Sequence, residues 1–235
     1  MVSFKVIQDR VKTRVIDLPA DTLAEIPLLI NDAIDEAEGR YDFKVGEAEL
    51  SATTVAATRK LAAVPSDWRK PRARPYLRQG EGGLTATKRI KWAVDLDDML
   101  KRFVLDDTTD DGEPEFVLLA EAGTELQLFP FPDASSQWDD GDYRVVVPYF
   151  KSVANLSDDG DNNWFTDNAA LYLITRATAE AFMVNWDEQR GAFWFGKAER
   201  QFKIARRLDA LLRYGTSGTL PISSDAAGES PQGEA

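Results

Sequence analysis

Four carboxylate clusters are the residues in this sequence best placed by type to do chemistry: Asp106-Asp107, Asp110-Asp111, Asp139-Asp140-Asp142 and Asp158-Asp159-Asp161. Oxygen-rich clusters of this kind bind hard cations. Asp159, Asp161 and Asn163 match the first three ligand positions of a calcium loop. The sixth position, however, is Trp164 where the turn demands Gly, and no Glu closes the loop. Solvated loop acids are the expectation. Paired carboxylates also hydrolyse glycosidic bonds, yet acid pairs arise readily in a chain with 40 acidic residues. The chain has no His and no Cys. That removes the usual neutral-pH acid–base group, thiolate nucleophiles, disulfides and the commonest metal ligands. No catalytic residue, cofactor or metal site is expected.

A second chemistry lies in residues 68–91, which hold eight basic side chains and one acid, with Trp68 and Tyr76 among them and Trp92 just beyond. Bases stack on aromatics while Lys and Arg meet phosphates, so one reading is a nucleic-acid platform. A second is charge pairing with the acidic stretch 105–142, within a subunit or across a boundary between subunits. A third is an ordinary solvated surface. The interface candidates on the second reading are Arg69, Lys70, Arg72 and Arg74 against Asp106, Asp107, Asp110 and Asp111. Gly80-Glu-Gly-Gly lacks the Lys-Ser/Thr of a phosphate loop and reads as a turn. The net charge is −12, and no base interrupts the acids between Arg102 and Arg144. An excess of this sign disfavours gripping DNA.

The elements that position these residues follow from periodicity. Ser3 to Leu18 reads as a helix capped by Ser3 and ended by Pro19, with a strand as the alternative. Thr22 to Glu25 matches a capping box. It opens a helix with Pro27 in its first turn, an apolar stripe Ile26, Leu29, Ile30, Ala33, Ile34 and Ala37, and a stop at Gly39. Residues 51–64 read as two strands, with helix as the alternative; Pro65 and Pro71 then punctuate a loop. Strands are expected at 75–78 and 86–94, a short helix at 95–104 and a loop at 106–113. Further strands are expected at 116–119, 125–129 and 143–150. Tyr143, Val145, Val147 and Tyr149 alternate as on a half-buried strand. Thr166 or Asp167 then caps a helix towards Trp186. A last helix from Asp187 carries Ala198, Phe202, Ala205, Leu208 and Leu212 on one side, and Gly215 stops it. The Gly-, Pro- and Ser-rich remainder reads as a flexible tail whose one apolar group is Thr219, Leu220, Pro221 and Ile222.

With 235 residues, 43% apolar, the chain is long enough to bury a real core. No apolar run approaches the about 18 residues a membrane span needs. The N-terminus lacks an apolar signal region, so synthesis and retention in a cytoplasm are expected.

One ordered set of segments points to a family: Ile26 to Phe43; Val64-Pro-Ser-Asp-Trp68; the hairpin Gly123 to Phe131 with Pro132-Asp133; and the Tyr-rich strand, Asp-rich loop and Asn163-Trp-Phe-Thr166 opening a Leu-Tyr-Leu helix. Over about residues 20 to 213 this resembles the head-to-tail adaptor (head-completion, or neck) proteins of tailed bacteriophages. Lys88 to Asp111 has no counterpart in it.

The resemblance implies an α+β fold. A helical bundle is formed by N- and C-terminal helices (1–43 and 164–214), with an inserted antiparallel β-rich domain (44–163) and a flexible C-terminal arm (215–235). It implies a structural virion protein at the head-to-tail interface, assembled in the host cytoplasm as a ring of about twelve subunits. Its partners would be the phage portal protein, gripped through Thr219 to Ile222, and a downstream neck, nozzle or tail protein. Genomic DNA would pass through without specific binding, and no membrane is involved. Tyr143, Tyr149, Trp164, Phe165 and Tyr172 are the expected structural anchors. Two rivals stand beside it: a carboxylate-dependent virion hydrolase and a monomeric protein-binding module.

Overall fold

A computed structural model describes residues 2–54, 58–78, 87–102, 111–120, 123–132 and 144–214. Within them the chain is α+β and divides into two compact units. One joins Met1–Lys44 to the chain from Ala154 onward; the other is Val45–Val153.

The first unit is built from helices α1 (Phe4–Arg14) and α2 (Ala20–Arg40) and, after the insertion, α4 (Trp164–Asn168), α5 (Ala170–Val184) and α6 (Glu188–Tyr214). α5 is buried along most of its length, because α6, α2 and α1 each pack on it, while Leu171, Met183 and Val184 near its ends stay exposed. Small residues let α6 come close: Ala198 and Ala205 are buried, and a Cβ at Gly191 would lie within 3 Å of the Met183 thioether. α2 turns Ile26, Ile30, Ala33 and Ile34 inward, as its apolar stripe requires.

The helix ends are satisfied differently from the local sequence signals. Ser3 holds the α1 N-cap position, but its side chain makes no cap bond. The first α1 amides, Phe4 and Lys5, donate instead to the carbonyls of Asp161 and Asp159. α1 ends at Arg14, and Pro19 sits at the N-cap of α2 rather than closing α1. Thr22 and Glu25 form no capping box, because α2 has already begun at Ala20. Thr22 is buried there and its hydroxyl accepts from Asn185 Nδ2. Pro27 lies in the helix interior and Gly39 inside its last turn. α4 is capped by Asn163, which exchanges bonds with Thr166 in a reciprocal box; neither Thr166 nor Asp167 is the cap.

The second unit holds strands β1 (Glu47–Thr53), β2 (Lys60–Ala63), β3 (Trp68–Pro71), β4 (Tyr76–Arg78), β5 (Thr87–Arg89) and β6 (Lys91–Ala93). After helix α3 (Leu96–Arg102) come β7 (Asp111–Gly112), β8 (Phe116–Ala120), β9 (Glu125–Phe129), β10 (Phe131–Pro132) and β11 (Arg144–Lys151). β11 is the centre of one sheet, ordered β1-β11-β4-β5, with β3 also on β11. A second sheet runs β2-β9-β8-β6. Leu77, Val145 and Val147 of the first sheet meet Val117, Leu126 and Leu128 of the second in one core. Met99 of α3 covers Phe116, Leu118 and Phe129 in a satellite core.

β11 is therefore buried on both faces rather than half-buried. The segment between Pro65 and Pro71 is not all loop, because β3 pairs with β11 there. The expected strand 86–94 is broken at Ile90, whose side chain enters the core. The pairs β6–β8 and β7–β10 are parallel. The expected turns around Gly80 and 133–141, and the expected tail, lie outside the described residues.

Candidate functional site

The acidic loop before α4 is a structural staple. One Asp161 carboxylate oxygen accepts from the amides of Ser157 and Asp158, and these bonds hold Asp161 below the ordinary carboxylate range. With the Asp159 and Asp161 carbonyls bound to α1, the loop's backbone and the Asp161 carboxylate serve the fold, while the Asp158 and Asp159 side chains are exposed. Among the described residues no group of three or more His, Cys, Asp or Glu is placed to hold a metal ion.

The aromatic and basic residues of 68–92 are gathered by β3, β4 and β11. Trp68 stacks on Tyr149, with ring centroids 4.9 Å apart, and meets Trp92 edge-on. The Tyr149 hydroxyl donates to Asp67. Burial, then the Asp67 carboxylate, push Tyr149 above its usual value. Arg69 and Lys70 each lie 5.7 Å from the Phe150 ring centre. Arg72 pairs with Glu47 at 2.9 Å, and Lys88 with Glu113 at 2.8 Å. Exposed Arg74 joins Arg72, Arg89, Tyr76 and Glu49 around an open cleft of about 620 Å³. Such a cleft suits an acidic group on a partner, with Glu49 as the counter-charge already present. Of the proposed acidic partners, Asp106, Asp107 and Asp110 lie outside the described residues, as does Tyr143. Asp111 pairs through its backbone with Phe131 in β7–β10.

The helical unit places the other anchors. Phe165 and Tyr172 are buried, and the Tyr172 hydroxyl donates to the Ala33 carbonyl. Trp164 sits half-buried against Phe43 and Phe165. At the end of α2, Asp209 of α6 is fully buried, accepting from the Lys44 amide at 2.7 Å, and Arg213 binds both Asp209 and the Asp42 carbonyl. Leu208 and Leu212, expected on the packed side of α6, face outward instead. Asp209 takes the inward position because it ties down the α2 exit.

Two outward helical faces carry no signal in residue type alone. On α2, Asp21, Glu25, Leu28, Asp32 and Asp35 are all exposed, recurring at four and three. Burial and the Asp32 charge push Asp35 up from the ordinary carboxylate value. On α6, Phe193, Lys197, Arg200, Ile204, Arg207 and Leu211 recur likewise and are exposed. At the α5–α6 corner, Trp186 adopts a left-handed backbone (φ 60°) and is 89% exposed. Its amide donates to the Met183 carbonyl and that of Asp187 to the Phe182 carbonyl, the bond pattern of a Schellman C-cap.

Together these features describe an α+β protein with a stapled loop, a cleft lined by arginines and charged outward helix faces. The sequence pattern of the SU10 adaptor protein family matches residues 2–220, and the chain belongs to that family of bacteriophage adaptor proteins. Among curated proteins, none matches the chain.

Proposed function

We propose that this adaptor forms a closed ring of about twelve copies beneath the phage portal and joins head to tail. The helical units pack around the axis, the segment Thr219 to Ile222 orders on the portal, and the β-rich unit faces the next neck, nozzle or tail protein. Arg69, Lys70, Arg72 and Arg74 set register against a neighbour's Asp106 to Asp111. Lys70, Arg72 and Arg74 of that set are exposed. DNA passes along an acidic lumen, held off by repulsion rather than bound. The family match over residues 2–220 carries this reading.

The test is the mass of the purified protein, alone and mixed with the portal of the same phage. A stable co-complex lost on deleting residues 216–235 supports both ring adaptor and arm. A co-complex that survives the deletion keeps the adaptor and discards the arm. A monomer indifferent to the portal overturns the reading. A lumen lined with Lys and Arg in the assembled ring overturns the repulsion mechanism.

A further inference from the structure

The two outward stripes of the helical unit are complementary, and among the described residues neither is met by side chains of opposite charge. α2 offers acid, acid, Leu, acid, acid at Asp21, Glu25, Leu28, Asp32 and Asp35; none of these carboxylates pairs with a described cation. α6 offers Lys197, Arg200, Ile204, Arg207 and Leu211, and neither Arg200 nor Arg207 pairs with a described carboxylate. Both stripes step by three and four, the spacing at which side chains on one helix face meet a neighbouring helix. At 1.5 Å per residue each is about 21 Å long. With Leu28 opposite Ile204, two bases fall on one acidic pair and Arg207 on the other, whichever way the helices run. α2 and α6 both turn their buried faces to α5. The two stripes therefore point outward, away from α5, and are open to another molecule.

We infer that the acidic face of α2 docks on the basic, apolar-centred face of α6 in a second copy of this chain, as the repeating head-to-tail contact of the assembly. The inference rests on the ring reading above and names the helical surfaces that close it. A second copy is the occupant the observations favour, because one chain carries both halves of a contact matched in charge sign, spacing and length. An unrelated partner would need only one of them. A contact in which each copy uses two different patches is heterologous, and it closes into a ring when its rotation allows.

The experiment reverses each face in the full chain and measures mass in solution, alone and with portal rings, with circular dichroism to confirm folding. The variants are Asp32→Lys with Asp35→Lys, and Arg200→Glu with Arg207→Glu. All four positions are exposed. Like charges set face to face cost several kcal/mol, so each double variant is expected to self-associate at least about a hundredfold more weakly. An equimolar mixture of the two is expected to regain assembly, since each then supplies the face the other lacks. Assembly of the wild type is expected to weaken as the Debye length shrinks from about 10 Å at 0.1 M salt to about 3 Å at 1 M.

Wild-type-like assembly by both variants overturns the inference and leaves the ring standing. Failure of the mixture, when each variant alone has failed, also overturns it. So does loss of duplex-DNA binding in the α6 variant with its mass unchanged. A wild-type monomer in both conditions brings down the ring reading and this contact together.

Discussion

The two units hold their charges in opposite ways. In the β-rich unit the basic residues are largely used internally: Arg69 and Lys70 lie on Phe150, Arg72 on Glu47, Lys60 on Glu125 and Lys88 on Glu113. In the helical unit the internal ion pairs gather at helix ends and crossings. Examples are Arg40 with Glu199, Arg176 with Glu36, and Arg190 with Asp17. The outer faces of α2 and α6 are left with charges of a single sign. A sheet strand shows each neighbour a short polar row, which cross-strand and aromatic contacts readily consume. A long helix packed on one side keeps a whole stripe in solvent. Surface available to a partner is thus concentrated on the helices and in the Arg74 cleft.

The largest break in this comparison is expected at Asp209. Asp209→Ala removes a buried carboxylate from the Lys44 amide and Arg213, and is expected to destabilise by about 4 kcal/mol. Denaturant unfolding gives the size. Hydrogen exchange should show protection lost around the end of α2 and in α6 and kept in β8, β9 and β11.

The mirror experiment is Leu128→Ala in the β core, where the side chain is fully buried. It is expected to cost about 3 kcal/mol, with lost protection in β9, β8 and β11. A loss shared equally by α5 would break the contrast between the units.

Next in size is Trp186→Gly. A left-handed non-Gly residue costs about 1 kcal/mol, and the exposed indole loses little when removed, so the thermal midpoint is expected to rise. A fall would show that the indole holds contacts the fold needs.

The smallest effect belongs to Glu199→Gln at its bidentate contact with Arg40. The Arg40 hydrogen bonds hold Glu199 below its ordinary value. A depressed carboxylate stabilises the fold above its unfolded pKa and loses that contribution as pH falls through the folded one. The pair is partly exposed, so the wild-type advantage is about 0.5 kcal/mol at neutral pH. It should vanish in acid, as a pH series of denaturation midpoints would show.

The inward stripe of α2 and the apolar run of α5 were legible as local repeats of helical period, and the strands β8, β9 and β11 as short apolar or alternating runs bounded by turn residues. The first of the candidate chemistries was legible only in part. The acidic loop was visible as a cluster, but its service to α1 depends on carbonyls meeting a helix start that lies far away in sequence. Thr22 and Glu25 satisfied a capping pattern by composition, yet Thr22 serves Asn185 instead. The outward stripes of α2 and α6 were present as letters, but their exposure had no local signature, since α6 carries apolar residues on both its faces.

By itself, then, the sequence determined the α+β composition, the helical and strand periods, the exclusion of His and Cys chemistry, and enough ordered segments to point to a phage adaptor. Those properties depend on residue type and on spacing within a few turns. Tertiary structure alone decided that β11 is buried on both faces, that β3 is a strand and that Asp209 rather than Leu208 faces inward. It also decided which charges are consumed and which are left open. Each of these is set by a partner distant in sequence, and burial is a property of the pair rather than of either segment.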